Sequence, residues 1–221
     1  MATFTDLHAA GHRRGNIRKA VQTIGFLGRR SEVTPPESLT DGNGGLTDLT
    51  EADFHYIGLV SVDGFNFERD DSNSEVTSHG FLSPTREDLE SSTRTVSFTM
   101  QEVQKRINQE FLNGTRYTDV EFTNGEVVKR NPEFPQHEEW CLVVIANDGP
   151  EGANYLDAKV FPTIKVQTVG GEQWGGDSER NREVTARVYV DDELGVPEID
   201  IMGGEGFAGN AVDLGWAEGN Q

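Results

Sequence analysis

The sequence predicts a mainly β chain: an antiparallel β-sandwich or barrel with one packed α-helix, a long loop and extended N- and C-terminal arms. Three observations lead there. Val, Ile and Thr total 46 residues against 25 for Ala and Leu; β-branched side chains suit pleated sheets and are stiff in helices. Apolar residues alternate with period two along the middle of the chain, and one segment alone repeats every four. Asp-Gly and Asn-Gly pairs, which tolerate the positive φ of tight turns, punctuate the runs. The 221 residues allow one domain or two small ones.

In chain order, residues 1–19 read as a basic arm, 20–193 as the folded body and 194–221 as an acidic, Gly-rich arm. Ala20 to Leu27 suggests a first strand. Residues 29–53 form a long polar loop containing Pro35-Pro36 and Asp41-Gly42-Asn43-Gly44-Gly45. A loop of that length is usually functional or disordered, and it is expected to be mobile in the free subunit. Tyr56 to Val62 and Phe65 to Arg69 flank Asp63-Gly64, which predicts a hairpin pairing Val62 with Phe65 and Val60 with Phe67. In Thr95 to Gln101, Val96, Phe98 and Met100 share one face. Val103, Ile107 and Phe111 then mark a helix face, stopped at Asn113-Gly114. A second hairpin is predicted around Asn124-Gly125. Trp140 to Ala146 is apolar on both faces and should be a central strand. Ala158 to Thr168 and Val184 to Val190 complete the set. Strand-helix-strand crossovers are not suggested.

Charge is unevenly distributed. The chain carries a net charge of −19, which argues against a general binder of nucleic acid or anionic membrane. Residues 1–30 hold Arg13, Arg14, Arg18, Lys19, Arg29 and Arg30 against Asp6 alone, whereas no Lys or Arg follows Arg187. The two ends read either as solvated, partly disordered segments or as the two sides of a head-to-tail contact between copies, the type that builds rings or filaments. Candidate self-assembly residues are therefore Arg13, Arg14, Arg18 and Lys19 in the first arm, Asp41 and Asp48 in the loop, and Asp191, Asp192, Glu198 and Asp200 toward the end.

Catalytic and metal motifs are incomplete. Gly204, Gly206 and Gly209 match a dinucleotide-binding spacing, but too little chain follows for a βαβ unit, so a flexible tail is expected. Asp41-Gly42-Asn43 and Asp71-Ser72-Asn73 lack the later glycine and glutamate of a calcium loop. His8 and His12 lack the glutamate of a zinc-protease helix. The single cysteine, Cys141, excludes an intrachain disulfide and sits in the most apolar strand, where a thiol should be inert. No secretory leader is expected from the polar N-terminal residues. A non-enzymatic protein without cofactors is the reading.

The run Gly58-Leu59-Val60-Ser61-Val62-Asp63-Gly64-Phe65-Asn66-Phe67 resembles the strand-turn-strand of major tail tube proteins from long-tailed, siphovirus-type bacteriophages, especially those of actinobacteria. Ser83-Pro84-Thr85-Arg86-Glu87-Asp88, the strand from Thr95 to Glu102 leading into a helix, and the loop from Pro35 to Leu49 continue the likeness over roughly residues 20–195. The resemblance implies a structural virion protein, assembled in the host cytoplasm, whose hexameric rings stack into a hollow tube. Its implied partners are further copies, a tape-measure protein, a tail terminator and distal tail proteins. Duplex DNA would pass through the lumen without specific binding, with no membrane role. Three alternatives are a hydrolase using carboxylates, the tube of a contractile injection or secretion system, and a carbohydrate-binding β-sandwich. The last would need exposed aromatics such as Trp174 and Trp216.

Overall fold

A computed structural model describes residues 2–40, 46–177 and 179–216. Helix α1 (Phe4–Gly11) is followed by strands β1 (Gln22–Arg29), β2 (His55–Tyr56), β3 (Val60–Val76) and β4 (Arg86–Met100). Helix α2 (Arg106–Asn113) precedes the short β5 (Phe122–Thr123) and β6 (Glu126–Val127). Then come β7 (Trp140–Asp148), β8 (Tyr155–Val169), β9 (Arg182–Tyr189), β10 (Ile199–Gly203) and helix α3 (Glu205–Asn210). One antiparallel sheet of 8 strands runs β2-β1-β7-β8-β9-β4-β3, with β10 added beside β8; β5 and β6 pair separately. The predicted mainly β class is what the chain adopts.

Strand β7 is central because both its faces are apolar. Leu142 and Val144 enter one core, while Cys141, Val143 and Ile145 enter another. The first core receives Val96, Phe98 and Met100 from β4, Val184, Ala186 and Val188 from β9, and Phe111 from α2. These are the faces that the alternation and the four-residue period mark. Phe111 meets Trp140 edge-on at 5.4 Å between ring centroids, a favoured aromatic geometry. Gly114 ends α2 in the left-handed conformation at φ 56°, which glycine adopts without steric cost.

Strand β8 serves two neighbours along one edge: Leu156 to Val160 pair with β10, and Thr163 to Val169 pair with β9. A bulge lies between these halves, where Trp140 pairs with Ile164 but Leu142 with Phe161. Pro162, which has no N–H to give a ladder, occupies it. The extra residue lets Phe161 and Ile164 both face the first core; strict alternation would have sent them to opposite faces.

Four expectations are corrected. Asp63-Gly64 does not turn a hairpin. It lies in a bulge inside β3, between the pairs Val60–Met100 and Phe65–Phe98, with Gly64 at φ 69°. Continuous pairing with β4 carries β3 onward to Val76, and Phe67 faces Val96 instead of Val60. The predicted Asn124-Gly125 turn does form, with φ values of 54° and 83°.

The second correction concerns the long loop. Its described part is packed: Val33, Leu39 and Leu49, together with Phe54 directly after the loop, are buried and, with Phe26 and Val160, build the second core. The loop is thus the cover of the sheet's other face. It comes so close that a Cβ on Gly28 would stand 2.6 Å from Val33, closer than carbon atoms pack. Third, the Gly-rich arm is no flexible tail throughout: Ile199 and Ile201 of β10 pack against the second core, and Gly204 to Gly209 run into and along α3. Fourth, Val190 does not continue the buried face of β9; it is exposed.

Candidate assembly surfaces

Beyond the body, β3 and β4 continue as a two-stranded arm. The ladder between β4 and β9 ends at Arg94–Val188, while β3 and β4 stay paired outward to Val76–Arg86. Every residue from Asn66 to Ser92 is exposed. At the usual rise per residue the arm extends about 25 Å past the sheet. Its outer part shows Val76, Phe81, Leu82 and Leu89 to solvent. Two-stranded ribbons without a covering layer are marginal in water.

The arm is also acidic. Glu68 to Ser92 contains seven acids against Arg69 and Arg86. Arg69 is paired with Asp71 at 2.7 Å and Arg86 with Asp88 at 2.5 Å, so both cations are used locally. Glu75 and Glu87 stand directly opposite each other in the ladder, a like-charge pairing that disfavours the isolated arm.

The N-terminal segment is the basic counterpart. Thr3 and Asp6 form a reciprocal cap at the start of α1, with Thr3 N–H donating to Asp6 Oδ2 at 2.9 Å. Phe4 and Leu7 on this helix are exposed, and eight residues are too few for a helix to be stable alone.

The predicted assembly residues divide between the two roles. Arg13 is ion-paired with Asp213 of its own chain. Arg18 lies over the Tyr155 ring at 3.2 Å and 4.0 Å from Asp148. Lys19 gives its backbone N–H to Asp148 at 3.2 Å. Among the described residues, the side chains of Arg14 and Lys19 meet no acid. Asp41 lies outside the described residues. Asp48 caps a short turn by accepting from the Thr50 N–H and hydroxyl at 2.9 and 2.6 Å.

Asp191 is a buried structural residue, 2 % exposed. It accepts from Arg30 Nε at 2.6 Å and from Thr163 Oγ1 at 2.7 Å. The Arg30 hydrogen bond holds its carboxyl well below the usual carboxylate range against the opposing effect of burial, and Thr163 with the Leu194 and Glu193 N–H groups adds to this. Arg30 is raised in turn, first by its bond to Asp191. Glu198 pairs with Arg94 at 3.4 Å, and Asp200 pairs with Lys159 at 2.6 Å. Asp192 is exposed.

The sequence reading did not single out a second ion cluster. Glu110 on α2 is buried and meets Arg29 of β1 at 2.5 Å and Arg106 at 3.0 Å. Four residues separate Arg106 from Glu110, a helical spacing that could have flagged that pair; Arg29 is brought in only by the fold. Burial pushes the Cys141 thiol up to about 12, as its apolar strand suggested.

Fold and surfaces together define a mainly β subunit with a projecting ribbon and a basic leading segment. No family model and no curated protein matches the chain. Among solved structures, a chain in the cryo-EM structure of the anti-feeding prophage (AFP) baseplate, 6-fold symmetrised, is similar over 83 % of this chain and 93 % of its own, with TM-score 0.45 and 8 % identity. A chain in the tail of an empty GTA particle, computed with C6 symmetry, is similar over 64 % and 86 %, with TM-score 0.34 and 12 % identity. Likenesses at this level leave function to the surfaces themselves.

Proposed function

We propose that the chain is a structural tail protein, the subunit of a hollow tail tube built from stacked, six-membered rings through which phage DNA passes. The carrying observation is the β3–β4 arm, a ribbon exposed on both faces beyond the last rung with β9. Such a ribbon gains a covering layer when another copy packs on it. The family resemblance over roughly residues 20–195 supports the same role and supplies the ring number, although the expected turn of its Gly58–Phe67 run is a bulge within β3.

The net charge of −19 suits a conduit for DNA. Cationic walls would bind phosphates and release counterions, which favours holding the duplex; acidic walls let it slide. The role is non-catalytic on this reading. A contractile-system tube would share the subunit architecture, and passage of DNA separates the two. The sugar-binding alternative would rest on Trp174 and Trp216, both exposed, with Arg180 standing over one face of the Trp174 ring at 4.1 Å.

Negative-stain electron microscopy of the purified chain tests the proposal. Rings or tubes are expected, with no measurable affinity of the assembled tube for duplex DNA at physiological salt. A monomer at every concentration overturns the assembly role, and tight, salt-sensitive DNA binding overturns the conduit.

A further inference from the structure

Charge pairing within the chain redirects the expected contact between copies. The acidic end is partly neutralised by its own chain: Glu193 joins Asp191 on Arg30, Glu198 meets Arg94, Asp200 meets Lys159 and Asp213 meets Arg13. Among the described residues, Asp192 and Glu205 are the acids of this end without an ion pair. The arm has the opposite character. Its two arginines are used locally, and Glu75 and Glu87 repel each other across one rung. The basic segment offers Arg14 and Lys19, whose side chains meet no acid among the described residues.

We infer that the acidic β3–β4 arm of one copy docks onto the basic N-terminal segment, residues 2–19, of a second copy. Cations between Glu75 and Glu87 convert a repulsive rung into an attractive one. Apolar surface matches as well: Phe4 and Leu7 on α1 are exposed, as are Val76, Phe81, Leu82 and Leu89 on the arm, and burying such groups together is favourable. Among the described residues no hydrogen bond or ion pair joins the two regions within one chain. The contact joins unlike patches, so it is heterologous and propagates into a ring or filament. This deepens the tube reading by naming one of its interfaces, and it rests on that reading only for the existence of assemblies.

The test is a charge swap in the full chain, followed by sedimentation velocity and electron microscopy. Arg14→Glu with Lys19→Glu should raise the concentration needed for assembly on the order of tenfold, as should Glu75→Lys with Glu87→Lys. All four changes in one chain should restore assembly toward wild type. Combining the N-terminal pair with Asp192→Lys and Glu205→Lys should not. In an equal mixture of 15N-labelled and unlabelled wild-type chains, a zero-length carbodiimide cross-link should join Lys19 to Glu75 or Glu87 in mixed-label pairs. Wild-type assembly with neither pair of changes having an effect, rescue by the C-terminal swap, or Lys19 links only to C-terminal acids would each overturn the inference while leaving the tube role standing. A wild-type chain that never assembles would overturn both.

Discussion

The loop of residues 29–53 and the β3–β4 arm invert what their sequences suggest. The loop is polar, irregular and rich in turn residues, yet its apolar side chains close the second core. The arm is hydrogen-bonded strand interrupted by a single bulge between Ser72 and Asn73, yet no layer covers it. Regular backbone is therefore a poor guide here to which region stabilises the subunit. Burial decides that, and three scattered side chains of the loop supply it together with Phe54 at its end.

Substitutions should separate the two regions. The largest effect is expected for Phe54→Ala in the cover, which should lower subunit stability by about 3–5 kcal/mol in urea unfolding, because it removes a fully buried ring. Phe81→Ser at the arm's tip should leave that stability within about 0.5 kcal/mol and weaken assembly instead. A large loss from Phe81→Ser, or none from Phe54→Ala, would break the contrast.

Asp191→Asn comes next, with a loss of about 2 kcal/mol at neutral pH, since it leaves the largely buried Arg30 with only the exposed Glu193 as its counter-ion. The sign of the pH dependence follows from the depressed carboxyl. The folded pKa lies below an unfolded value of about 3.9, so the contribution is complete above that value. It is lost as the pH falls through the folded pKa. The gap between wild type and variant should hold constant from pH 5 to 8 and close in acid.

Gly28→Ala should cost about 1–3 kcal/mol, because the new methyl drives into Val33 where the cover meets β1. Limited proteolysis should show the smallest perturbation of the subunit. The arm should be cut in the free chain and protected in the assembled one, whereas the described part of the cover should resist in both. Cleavage near Val33 or Phe54 at the arm's rate would show the cover to be loose.

What could be read from the sequence follows the same physics. The faces of β4, β7 and α2 were legible because each packs against one core over several consecutive periods. Gly114 and the Asn124-Gly125 turn were legible from local backbone chemistry. The loop was not: Val33, Leu39, Leu49 and Phe54 reach the sheet from irregular backbone, which imposes no spacing. The outer arm was missed for the converse reason. With neither face buried, Glu68 to Val76 shows no alternation, and the Asp63-Gly64 signal masked the continuity of β3. Strand β10 was hidden by glycines and acids, since only Ile199 and Ile201 face inward. Of the candidate assembly residues, Asp191 was misjudged because sequence places a carboxylate but not the guanidinium folded against it.

The lone thiol of Cys141 has a practical consequence. It lies fully enclosed on β7, with the thiolate disfavoured by its surroundings. The thiol faces the second core, so an alkylating reagent reaches it only when the cover lifts or the sheet opens, and its labelling rate is a clock for that opening. A second cysteine engineered on the arm would react at once in the free chain. One molecule would then report two events on separate timescales, the covering of its outermost ribbon and the opening of its centre.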